Sequence, residues 1–121
     1  MIKFKSLNQS KEFLKILKKK KLNTKYFTIY FEKNLRNLEE NGKKNLNISF
    51  VMKKDIGNAV KRNKIKRKLK AAVQKVIKEK LPLDLNYTYV IFGRNNVYSD
   101  KFPLIFSEVD KVFKRIKQTG K

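Results

Sequence analysis

Residues 53–80 read KKDIGNAVKRNKIKRKLKAAVQKVIKEK, and the rest of the chain is organised around them. The segment opens on a turn signal, Asp55-Ile56-Gly57-Asn58, in which Gly57 can adopt a positive φ and Asn58 is suited to cap a helix. Beyond it Ile65, Leu69, Ala72, Val73, Val76 and Ile77 recur at i, i+4, i+7, i+8, i+11 and i+12. That spacing draws one apolar stripe along a helix that docks on a core. Lys61, Lys64, Arg67 and Lys68 point away from the stripe on the helical wheel, and Lys66 and Lys70 flank it. Arg62 falls on the core side, about 20° from the stripe centre. One helix therefore carries a core face and a dense cationic face.

The stretch holds twelve Lys/Arg against two acids. A solvated basic face is the ordinary reading of a lysine-rich helix. Here, however, like charges at i, i+3 and i, i+4 repel one another, and no acid interrupts the run from Lys61 to Lys70. A polyanion would relieve that repulsion, and the whole chain agrees, with a formal net charge of +22 over 121 residues. The length suits a single domain with a real core, with residues 1–9 as a loosely held basic arm and 118–121 as a frayed tail. The N-terminus lacks the apolar segment of a signal peptide, and no apolar run reaches a membrane-spanning length. The expectation is a cytoplasmic protein with no membrane partner and no small-molecule substrate.

The chain has no cysteine and no histidine, and its ten acids are scattered. A self-sufficient nuclease calls for a histidine pair or for clustered carboxylates that hold metal ions. If the protein takes part in catalysis, the reacting groups belong to another molecule.

The flanking segments complete an α/β pattern. Ser10 to Leu17, with Phe13, Leu14, Ile16 and Leu17 along one edge, reads as a short helix. Lys18 to Lys21 read as a solvated exit and Asn23-Thr24 as a turn. Tyr26 to Glu32 is a strand with Phe27, Ile29 and Phe31 on its core face. Tyr26, Thr28 and Tyr30 take the other face, where the rings suit either a half-wet surface or stacking on nucleobases. Asn41-Gly42 signals a hairpin or long loop. Leu46 to Met52 alternates almost strictly and delivers Lys53 and Lys54 to the start of the basic helix. After Pro82, Tyr87 to Phe92 is a third strand ended by Gly93. A last helix follows, with Pro103 in its first turn and Ile105, Val109, Val112, Phe113 and Ile116 facing the core. The order predicts a two-layer α/β (α+β) sandwich.

Residues Gly57-Asn58-Ala59-Val60-Lys61-Arg62-Asn63-Lys64-Ile65-Lys66-Arg67 resemble the signature of the bacterial ribonuclease P protein family: GNAV, an Arg-Asn-Arg triplet, then a Lys-Arg pair. Lys64 replaces the last arginine of the triplet, and Lys70-Ala71 stands where Arg-Glu is usual. Lysine keeps the charge but lacks arginine's bidentate fork. The resemblance implies a ribosomal-protein-like fold, with a mixed four-stranded sheet and a left-handed βαβ crossover through the basic helix. It implies two partners, ribonuclease P RNA and precursor tRNA, and Mg²⁺ acting with the RNA subunit, which carries the chemistry of tRNA 5′ maturation. Lys61, Arg62, Asn63, Lys64, Lys66, Arg67, Lys68 and Lys70 would meet the RNA subunit. Phe13, Leu17 and Tyr30, with Lys53 and Lys54 beside them, would hold the single-stranded 5′ leader; the family often has an aromatic residue where Leu17 stands. The alternative left by composition alone is a ribosomal or RNA-chaperone protein that binds structured RNA without an enzymatic role.

Overall fold

The computed structural model describes residues 2–7, 10–33, 39–40 and 43–119. Its elements run β1 (Lys3–Lys5), α1 (Ser10–Ile16), β2 (Lys20–Asn23), β3 (Phe27–Lys33), β4 (Glu39–Glu40), β5 (Lys43–Val51), α2 (Ala59–Lys78), β6 (Tyr87–Gly93) and α3 (Phe102–Thr119). The sheet is mixed, in the order β1-β5-β6-β3-β2, with β4 pairing β5 off that path. β5 and β6 are parallel neighbours joined through α2, so the basic helix is the crossover connection. No helix among the described residues is long and apolar enough to cross a membrane.

Strand alternation decides which side chains meet the helices. Leu46, Ile48, Ile29, Phe31, Tyr89 and Ile91 are buried on one sheet face. They join the stripes of α2 (Ile65, Leu69, Ala72, Val73, Val76) and α3 (Ile105, Val109, Val112, Phe113, Ile116) in a single core. Tyr89 meets Phe113 edge to face at 5.1 Å and donates its hydroxyl to the Asp84 carbonyl at 2.6 Å. That bond satisfies a phenol buried among apolar groups.

Both ends of α2 form as local chemistry requires. Gly57 sits at φ 153°, and the Asn58 side chain accepts from the Lys61 N–H at 2.9 Å as the N-cap. At the other end Lys80 N–H reaches the Ile77 carbonyl and Leu81 N–H the Val76 carbonyl, the two bonds of a Schellman turn. Lys80 stands at its left-handed position with φ 56°, where glycine is the usual residue. Lys80→Gly should raise stability in urea unfolding by roughly 0.5 kcal/mol, the relieved backbone strain less glycine's larger chain entropy. Gly93 is a different case, set by space. A Cβ there would lie 2.7 Å from Met52 Sδ and 2.9 Å from Leu69 Cδ1. Leu69 is fully enclosed and cannot yield. Gly93→Ala should cost about 2 kcal/mol in the same measurement.

Four expectations need correction. The arm at residues 1–9 contains a strand, β1, paired in parallel with β5 from Lys3↔Asn45 to Lys5↔Asn47. The lysine run from Lys18 to Lys21 is solvated, but its second half is more than an exit, because Lys20–Asn23 pairs antiparallel with β3. The main sheet thus has five strands rather than four. β1 and β2 lie at its two edges, where lysines are common guards against further pairing. The sandwich also gains a partial third layer, since α1 lies across the face opposite α2 and α3. Asn41 and Gly42 lie outside the described residues; on either side of them Glu40 pairs with Lys43.

Candidate nucleic-acid interface

The outward face of α2 holds Asn63, Lys64, Lys66, Arg67 and Lys70, all exposed. The signature cations are not equivalent. Lys68 turns inward against the loop after β6, and its ammonium donates to the carbonyls of Val97, Tyr98 and Asp100 at 3.0, 3.0 and 3.1 Å. All three of its N–H groups are used, so its role is to fix that loop rather than to meet phosphate. Lys61 and Lys64 stand over the ring of Tyr98, with Nζ 5.2 and 4.8 Å from its centroid. Lys70 stands 5.8 Å over Phe4 of β1. Arg62 is half-buried, as its wheel position requires, but its enclosed Nε reaches no acceptor among the described residues. Asn63 is exposed.

The other sheet face carries a different surface. α1 lies over it and buries Ile16, while Val90 is buried in the strand register beneath. Beside them three rings converge. Phe92 has Tyr30 edge-on at 5.6 Å and Phe13 tilted at 6.2 Å. All three are half-buried, so each keeps part of its ring open. Lys21 of β2 places its ammonium 6.0 Å from the Tyr30 ring. Leu17, one residue past α1, is half-buried and contributes no ring. Lys53 and Lys54 are exposed and follow β5 just past Val51, the register partner of Phe92.

Local pattern places Phe92 in a strand but not on this face, because its orientation follows only from the register Thr28↔Phe92 and Ile29↔Ile91. Tyr26, by contrast, leaves the site. It precedes β3 in a turn closed by Thr24, is only 2 % exposed, and donates its hydroxyl to Asp100 Oδ2 at 2.7 Å. That hydrogen bond, with burial, pushes its phenol up to about 12.

The two surfaces communicate around one edge of the sheet. β1 ends opposite Asn47, and beyond it a recess is lined by Phe4, Leu7, Phe13, Ser49, Phe50, Lys66 and Lys70. Phe13 belongs to the aromatic face, and Lys66 and Lys70 to the cationic one. Among the described residues no three His, Cys, Asp or Glu side chains approach one another closely enough to hold a metal ion. What the surfaces offer is ring stacking, mobile cations and hydrogen-bond donors, the chemistry that grips single-stranded nucleic acid without reading its sequence.

The family model described as Ribonuclease P matches residues 1–117. The chain is 31% identical over 120 residues to the ribonuclease P protein component of Carboxydothermus hydrogenoformans, covering 98% of this chain and 97% of that one. It is 34% identical over 112 residues to the protein of the same name from Mesoplasma florum, covering 92% and 94%. The solved ribonuclease P protein of Thermotoga maritima superposes with a TM-score of 0.72 at 22% identity, over 92% of this chain and 96% of that one, which shows a shared fold.

Proposed function

This chain belongs to the ribonuclease P protein family, and from that premise we propose that it is the subunit that joins the catalytic RNA to its precursor-tRNA substrate. The observation that supports this most is the pairing of two unlike surfaces on one small sheet. A helix presents Lys64, Lys66, Arg67 and Lys70 outward, and the opposite face holds the Phe13–Tyr30–Phe92 cluster. In this reading the helix face docks on the folded RNA subunit, where cations spaced along one helix meet closely spaced phosphates. The aromatic face takes the 5′ leader. Leaders differ from one tRNA to the next, so stacking serves better than base-edge hydrogen bonds, and Lys21, Lys53 and Lys54 stand near enough to hold a backbone.

The protein's part is to bind, orient and neutralise. Hydrolysis of the phosphodiester, supported by Mg²⁺ held on RNA, belongs to the RNA subunit. In this reading the protein works in the cytoplasm, with precursor tRNA as substrate. The assignment of Tyr30 is tested by equilibrium binding of the holoenzyme to precursor tRNA with and without a leader. Tyr30→Ala should weaken binding of the leader-bearing substrate about tenfold and leave the leaderless one unchanged, while Tyr30→Phe keeps full affinity. Equal losses for both substrates would remove the leader from this face.

A further inference from the structure

The loop after β6 makes a second aromatic feature, apart from the Phe13–Tyr30–Phe92 cluster and at the margin of the cationic helix face, which lends it Lys61 and Lys64. Tyr98 is 40% exposed, one of few large apolar side chains left open. It sits in a groove where three parts of the chain meet: Lys25 from the turn between β2 and β3, Lys61 from the first turns of α2, and Arg94, Asn95, Asn96 and Ser99 from the loop. The groove is held rigidly. Lys68 binds three carbonyls of the loop, Arg94 N–H reaches the Tyr26 carbonyl at 2.9 Å, and Tyr26 in turn holds Asp100. Asn96 donates its Nδ2 to the Lys25 carbonyl at 2.8 Å, which fixes its amide, and leaves its enclosed Oδ1 without a partner among the described residues.

We propose that this groove is a nucleotide subsite, in which one unpaired RNA base stacks on Tyr98 while its flanking phosphates take Lys25, Lys61 and Lys64. The proposal deepens the RNA-binding reading above and rests on it. Without RNA, two ammonium groups share the face of one ring, which eases their mutual repulsion through the ring's quadrupole. Both ride on flexible four-carbon stems. A phosphate offers each of them a stronger partner, and as they swing to it the ring face opens for a base. A groove meant only for a phosphate backbone would not need the exposed ring.

The test uses the full chain and a short single-stranded oligoribonucleotide carrying 2-aminopurine, whose fluorescence falls on stacking. Tyr30→Ala is placed in every protein so that the other aromatic face does not contribute. In that background Tyr98→Leu should weaken binding by roughly fivefold to a hundredfold and abolish part of the quenching. Its salt dependence should stay unchanged, because the same phosphates are neutralised. Tyr98→Phe should match the parent, which separates the ring from any structural role of the position. Equal affinity and quenching for parent and Tyr98→Leu would overturn the subsite, as would equal losses for Leu and Phe. If Tyr98→Leu loses binding but the protein never stimulates ribonuclease P RNA, the subsite stands and the holoenzyme reading fails. Stimulation together with an indifferent Tyr98→Leu sinks the subsite alone.

Discussion

Changing Lys64, Lys66, Arg67 and Lys70 together to alanine should lower affinity for ribonuclease P RNA about a thousandfold at low salt. The estimate takes about 1 kcal/mol for each surface cation meeting a phosphate in water, and four such contacts make nearly three decades in the dissociation constant. The salt dependence is the sharper readout. Each neutralised phosphate contributes roughly 0.7 to 0.9 to the log–log slope, so the slope should flatten by about 3 in a filter-binding series from low to moderate salt. The protein itself should remain folded, since all four side chains are exposed and their mutual repulsion is relieved. A variant that loses affinity but keeps its slope would mean that these cations do not touch phosphate.

Arg67 and Lys68 are neighbours in sequence and should behave as opposites. Lys68→Ala leaves the carbonyls of Val97, Tyr98 and Asp100 without their charged donor. It should cost about 3 kcal/mol in urea unfolding, with little change in salt slope for the fraction that stays folded. Arg67→Ala should change stability by less than about 0.5 kcal/mol and flatten the slope by roughly 0.8. Measuring both quantities on both variants separates the structural cation from the RNA-facing one.

These neighbours also mark how far the sequence could be read. The helical wheel places Lys68 outward, which is right for an isolated helix. What turns it into a structural residue is a loop about thirty residues later that folds over α2, and no local pattern carries that. Tyr26 fails for the same reason: its place in β-strand alternation suggested a face, but its hydroxyl is claimed by Asp100, 74 positions away. Phe92 was visible as a strand residue, but its face is set by register with β3. Lys3-Phe4-Lys5 and Lys20-Lys21-Leu22-Asn23 each hold a single apolar residue, too few to declare a period. They are strands because neighbouring backbones offer them hydrogen bonds. By contrast, α2, α3 and the inner strands bury whole faces, so periodicity alone recovers them. The Gly57–Asn58 entry to α2 and the core-side position of Arg62 were legible for the same local reason.

The central claim is tested most directly by precursor-tRNA cleavage at low Mg²⁺, using bacterial ribonuclease P RNA with and without this protein. The account predicts that the protein restores accurate 5′ cleavage under conditions where the RNA alone is nearly inactive. It would be contradicted if the protein bound both RNAs yet gave no stimulation with any type of bacterial RNA subunit, a result that fits an RNA chaperone or ribosomal protein instead.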